Sequence, residues 1–270
     1  MHERVSVNAL CFPGDDLPRM AEHWRTLKPA RIAFTSQLLP ADLGVAHGIV
    51  AGGGYRLESM THVFQFAGPQ GPDEEVWAEQ RAKLGKVIDA VSGLGGQSIY
   101  LMTGGHGDLI WEEAAGLFAR AIAPSLAQTK AAGLELMIET ASPLYADAHL
   151  VHNLRDTVEL AEIAGLGVCI DLFACWTEAG LKQTIERAAP RTHLVQVGDY
   201  VYGDRGLPCR AVPGDGNIPL ERLFDWILRA GYTGAFDLEL IGPRIDAEGR
   251  LEATRRAADK VSELLVKLGA

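Results

Sequence analysis

The stretch LELMIETASPLYADAHLVHNLRDTVELAEIAGLGVCID (134–171) carries the pattern on which the fold turns. Its first segment, LELMIE (134–139), is an apolar run that ends on a carboxylate, Glu139. Its last, LGVCID (166–171), is a second apolar run and ends on Asp171. Between them, LRDTVELAEIAG (154–165) spaces its apolar residues at helical intervals and stops at a glycine. Strand, helix and strand in that order is the unit of parallel α/β folds.

The unit recurs in both directions. Strand-like runs occupy 5–10, 30–35, 57–64, 97–103, 192–197 and 234–240 as well. RAKLGKVIDAVSGLG (81–95) sets Leu84, Val87, Ile88, Val91 and Leu94 on one helical face. EEAAGLFARAIAPSLAQTKAAG (112–133) follows the fourth run and stops at Gly133, and PLERLFDWILRAGY (219–232) places Pro219 in a first turn. LEATRRAADKVSELLVKLG (251–269) turns Leu251, Ala258, Val261, Leu264, Leu265 and Leu268 inward. Only residues 11–56 are less regular, because Pro and Gly interrupt them. Eight strands alternating with helices predict a (β/α)8 TIM barrel, one domain over residues 1–270. The rival, an open doubly wound sheet, calls for GxGxxG after the first strand. Here the GGG at 52–54 precedes a strand, and the GGHG at 104–107 has the wrong spacing.

Composition narrows the partners. With 47% hydrophobic residues the chain buries a large core, and a net charge of −10 opposes phosphate backbones and anionic lipid. A small molecule is therefore the expected partner, with neither nucleic acid nor membrane, and a homo-oligomer remains compatible with the composition. Cys11, Cys169, Cys175 and Cys209 form no CxxC pair and read as reduced thiols in a cytoplasmic protein. The first residues lack the pattern of a signal peptide, and no apolar run is long enough to span a bilayer.

In a barrel, the C-terminal strand ends project into the active-site mouth. The last four strands bring Glu139, Asp171, Gln196 and Glu239 there, each in an otherwise apolar run. Three carboxylates converging on one mouth repel one another, and each costs several kcal/mol to desolvate. A divalent cation among them removes the conflict. Three carboxylates and one amide oxygen make a hard, oxygen-rich site for a single ion, with manganese or magnesium preferred over cobalt or zinc.

These residues also carry a family likeness. LELMIET, LGVCIDLFACW, HLVQVGDY and VPGDGNIPLERLFDWILRAGYTGAFDLELIG resemble the xylose-isomerase-like TIM-barrel superfamily over about residues 134–243. That group includes sugar phosphate isomerases and epimerases, ketose 3-epimerases, inosose and 3-dehydroshikimate dehydratases, and endonuclease IV. The resemblance implies a metal held by Glu139, Asp171, Gln196 and Glu239, with Gln196 standing where His is usual. Some dehydratases of the family are similar in having Gln there. The position three after Asp171, often His in the family, is Ala174. Endonuclease IV requires a histidine-rich trinuclear zinc cluster that this chain lacks.

The resemblance implies an isomerase or epimerase of a sugar-like carbonyl compound, working through a metal-stabilised enediolate with Glu139 and Glu239 as acid and base. Two alternatives stand beside it: a metal-dependent dehydratase of a cyclic keto-polyol or keto acid, and a non-catalytic binding barrel. A dehydratase needs an acid at the departing oxygen, for which histidine is the usual type. His62 and His106 follow strand ends, and His149 and His152 follow Glu139. His62, His106, His149 and Arg210 are thus the candidate substrate contacts. Arg210 suits a carboxylate or phosphate, or else an ion pair with Asp215 or another loop acid. Asp199 is a partner for a histidine or for the loop backbone. Trp111, Trp176, Tyr200 and Tyr202 are candidates for a flat wall, and the 198–218 loop for a lid.

Overall fold

The computed structural model describes residues 1–65 and 73–270. In it, β1 (Val5–Asn8), β2 (Arg31–Thr35), β3 (Arg56–Val63), β4 (Ser98–Met102), β5 (Glu135–Glu139), β6 (Gly167–Asp171), β7 (Thr192–Val197) and β8 (Ala235–Leu238) pair in chain order to form a closed parallel barrel. The seam joins β8 to β1, with Val5 opposite Phe236 and Val7 opposite Leu238. Every strand run read from the sequence is present, several a residue or two shorter than expected.

The helices around it are α1 (Leu17–Leu27), α2 (Leu43–Gly52), α3 (Glu74–Gly93), α4 (Trp111–Ala131), α5 (Leu154–Ala164), α6 (Leu172–Cys175), α7 (Leu181–Ala188), α8 (Leu220–Arg229), α9 (Pro243–Glu248) and α10 (Arg250–Lys267). The irregular 11–56 region resolves through capping. Asp16 accepts the Arg19 backbone N–H at 2.9 Å, Pro18 sits in the first turn of α1, and Trp24 is buried one helical face on. Pro219 stands one position before α8, as its cap, rather than inside its first turn.

Strand alternation divides the apolar mass in two. Outward residues such as Val7, Ile32, Ile99, Ile138, Val195 and Phe236 join the apolar helix faces in the main core. Inward residues Tyr100, Met137, Cys169, Leu194 and Ala235 form a separate cluster inside the barrel. Nearer β1 the interior is polar: Ser6, Asn8, Ser59, Ser98 and Asp237 are all buried. Asn8 donates to Asp237 at 2.7 Å, and the Ser98 hydroxyl donates to the Glu58 carbonyl at 2.8 Å.

The same two-residue step positions the site. Glu139 follows inward Met137, Asp171 follows Cys169, Gln196 follows Leu194, and Glu239 lies two beyond Asp237. Asp171 pairs with Gln196 in register, and Gln196 with Asp237. All four side chains therefore share the inward face at the C-terminal mouth.

Phe236 locks the seam from outside. Its ring lies 4.5 Å from that of Phe224 and 5.7 Å from that of Tyr232, and the Arg4 guanidinium sits 5.4 Å from its centroid. Phe236→Ala should lower unfolding stability by about 3–5 kcal/mol in urea titrations; a loss under 1 kcal/mol would mean that the ring does not hold the seam.

Candidate functional site

The mouth of the barrel holds a cavity of about 300 Å³, at the lower end of the range for small-molecule sites. Glu139, Asp171, Arg210 and Glu239 line it, with Thr61, Tyr100, Tyr145 and His149 on the remaining polar surface. Leu10, Met102, Ala141, Leu207 and Ile241 supply the apolar wall.

Arg210 organises the acids. Its Nη1 and Nη2 donate to Asp171 at 3.0 and 2.7 Å, and Nη2 also donates to Glu239 at 3.1 Å. Gln196 is fully buried beneath, and its Nε2 donates to the other Glu239 oxygen at 2.7 Å. The Phe173 ring lies 4.6 Å from the guanidinium carbon, and a planar cation over an aromatic face is an attractive contact. Asp171 also accepts the Phe173 backbone N–H at 3.0 Å, so it caps α6 while holding Arg210. Asp215, the alternative partner anticipated for Arg210, pairs with Arg256 instead.

The loop between β7 and α8 is built around Asp199. Its carboxylate accepts the backbone N–H groups of Gly214, Gly216 and Ile218 at 2.9, 3.1 and 3.0 Å, so its partner is the loop backbone and not a histidine. The Asp199 and Ala211 backbones exchange two hydrogen bonds, and the Arg210 N–H donates to the Ile241 carbonyl at 3.0 Å. Gly198 leaves the space Arg210 needs: a Cβ there would sit 3.1 Å from Arg210 Cδ.

Burial governs the electrostatics. It pushes the Glu139 carboxyl well above the usual range, and Glu239 and Asp171 add to the rise while Arg210 opposes it. Burial also raises Glu239, with Arg210 pulling it back. His149 is driven down to about 4 by burial, so its imidazole is neutral near pH 7.

Among the sequence-derived contacts, His149 and Arg210 line the cavity, whereas His62 and His106 do not. His62 turns to Ser36, whose hydroxyl lies 2.9 Å from Nδ1. His106 lies in the loop after β4, where Gly104 and Gly105 donate backbone N–H groups to the Ala148 and Asp147 carbonyls, fastening that loop to the His149 segment. Trp111 donates its indole N–H to the Leu150 carbonyl and packs beside the core. Phe173, Trp176, Tyr200 and Tyr202 form one aromatic cluster beside the mouth.

Sequence reasoning missed Thr61, Tyr100 and Tyr145. Tyr100 had a signal in the inward parity of β4; Tyr145, in the loop after β5, had none. The Thr61 and Tyr100 hydroxyls, His149 Nδ1 and Gln196 Oε1 are buried and have no hydrogen-bond partner among the described residues. Gln196 Oε1 beside three carboxylates is a hard, oxygen-rich donor set and fits a divalent cation in kind. Glu139, Asp171, Gln196 and Glu239 are the residues that would hold one.

A family model described as xylose isomerase-like TIM barrel matches residues 45–264. Among curated protein sequences none matches the chain. Protein SMc04130 of Sinorhizobium meliloti 1021 superposes with a TM-score of 0.84 at 23% identity, covering 98% of each chain. An IOLI protein with a bound zinc atom gives 0.83 at 14% identity, over 98% of this chain and 99% of that one. D-Psicose 3-epimerase from Clostridium cellulolyticum H10, solved with D-tagatose, gives 0.77 at 16% identity, over 96% and 98%. At these identities the likeness is one of fold. Among the described residues no helix is long and apolar enough to cross a membrane.

His62 offers a test of local burial. Burial, reinforced by Lys83, lowers its pKa to about 4, against about 6.5 when unfolded. The unfolded chain binds the extra proton first, so this group's contribution is intact above pH 6.5 and is lost as pH falls toward 4. Wild type should lose roughly 2–3 kcal/mol more than His62→Asn between pH 7 and pH 4.5. Equal slopes in urea midpoints at the two pH values would contradict the burial of a neutral ring.

Proposed function

This chain belongs to the xylose isomerase-like TIM barrel family, and from that premise we propose that it is an isomerase or epimerase of a sugar-like carbonyl compound. The observation that carries the reading is the placement of Glu139 and Glu239 in one cavity where the Thr61 and Tyr100 hydroxyls and His149 Nδ1 have no partner among the described residues. A polyhydroxylated ligand supplies donors and acceptors to Thr61, Tyr100 and His149, and its carbon skeleton suits the wall of Leu10, Met102 and Ile241. The epimerase found among the structural neighbours supports the same class.

Glu139 and Glu239 reach the cavity from β5 and from the end of β8. One removes the proton from the carbon beside the carbonyl, and the other returns a proton to the neighbouring carbon or to the opposite face. Burial raises both carboxyls above the ordinary carboxylate range, the direction that suits a group acting as acid as well as base. His149, neutral, orients a hydroxyl. Loop residues Leu207 and Pro208 close the wall against water. A divalent cation on Glu139, Asp171, Gln196 and Glu239, manganese or magnesium ahead of cobalt or zinc, would supply Lewis-acid polarisation of the substrate oxygens. Elimination of a hydroxyl instead needs a ready acid at the departing oxygen. The neutral ring of His149 is a poor one, so elimination would have to draw that proton from Glu139 or Glu239. Four buried free thiols suit a reducing cytoplasm.

The test is NMR in deuterated water with free and phosphorylated ketoses, an inosose and 3-dehydroshikimate. Wild type should place deuterium in a ketose without loss of water. Glu139→Gln and Glu239→Gln should each slow that exchange by about 10²–10⁴-fold. An enone product, or full exchange in both variants, would overturn the assignment.

A further inference from the structure

We propose that Arg210 and a divalent cation are alternative occupants of the same acids, so that the ion loads only as the guanidinium lets go. The inference rests on the metal-site reading above and adds an internal competitor to it.

Every oxygen of Asp171 and Glu239 is already engaged. Arg210 takes both oxygens of Asp171 and one of Glu239, and Gln196 takes the last. A dication needs such oxygens at about 2.0–2.6 Å. The Arg210 nitrogens stand 2.7–3.1 Å from them, filling that volume with like charge. Among the described residues no three His, Cys, Asp or Glu side chains are gathered as ligands around one point. Two cations therefore exclude each other from these oxygens.

The exchange is a side-chain motion. The Arg210 backbone is fastened to Ile241, and Ala211 to Asp199, so the loop need not open. The berth is shaped by Gly198 on one side and by the Phe173 ring on the other. Since Arg210 also lines the cavity, a released guanidinium has adjoining space to enter. Arg210 thereby keeps Asp171 and Glu239 paired in the absence of an ion, and ion affinity is set by the cost of breaking a two-pronged pair.

Manganese binding, followed by EPR of the free ion, tests this without any activity assay. Arg210→Met should bind Mn(II) about tenfold or more tightly than wild type. It should also melt lower in EDTA and recover on adding Mn(II). Phe173→Leu removes no donor and only loosens the berth, so it should fold normally and tighten binding about threefold. Arg205→Met takes the same charge from the same loop and should change nothing. Should Arg210→Met fail to fold, Phe173→Leu against wild type decides. Unchanged or weaker binding in Arg210→Met and Phe173→Leu would overturn the proposal while leaving the metal reading intact. An equal gain in Arg205→Met would reduce it to bulk electrostatics and also overturn it. No binding by any of the proteins would remove both the proposal and the metal site.

Discussion

Three acids at a dry barrel mouth demand positive charge, and in this protein Arg210 supplies it by bridging Asp171 and Glu239. Desolvating an unpaired carboxylate costs several kcal/mol, so the strand ends keep their acids only with a counter-charge beside them. The remaining local structure follows from that need. Asp199 gathers the backbone of the loop from which Arg210 reaches in, Gly198 stays small to admit it, and Phe173 covers its face. Asp171 does double duty as helix cap and ion-pair partner, which fixes the carboxylate that receives the guanidinium.

The barrel explains why these groups meet at all. A parallel strand shows alternate residues to its interior, and at the mouth that parity selects Glu139, Asp171, Gln196 and Glu239 from four strands far apart in sequence. Below them the interior is apolar on the β4–β8 side and hydrogen-bonded around Asn8 and Asp237. The acids thus stand at the ends of packed strands, while Leu207, Arg210 and Ile241 reach the mouth from loops.

That division also describes what the chain reveals before folding. The four strand-end residues were legible because period-two alternation is local, and the helices because their apolar faces are. The partner of Arg210 was not. Asp215 lies five residues away in sequence, yet Arg210 reaches acids on β6 and beyond β8, a pairing set by barrel closure. His62 and His106 were named for following strand ends, but position along a strand leaves open which face a side chain takes. His62 turned to Ser36. Tyr100 carried the inward parity of its strand and was passed over because a tyrosine in an apolar run reads as core.

Arg210 and Asp171 are coupled strongly enough to hold the mouth together without an ion. A double-mutant cycle with Arg210→Met, Asp171→Asn and the combined variant, followed by urea unfolding in EDTA, measures this directly. The expected coupling free energy is at least about 1.5 kcal/mol, with the double variant more stable than the two single losses added together. A coupling indistinguishable from zero would show that the counter-charge lies elsewhere.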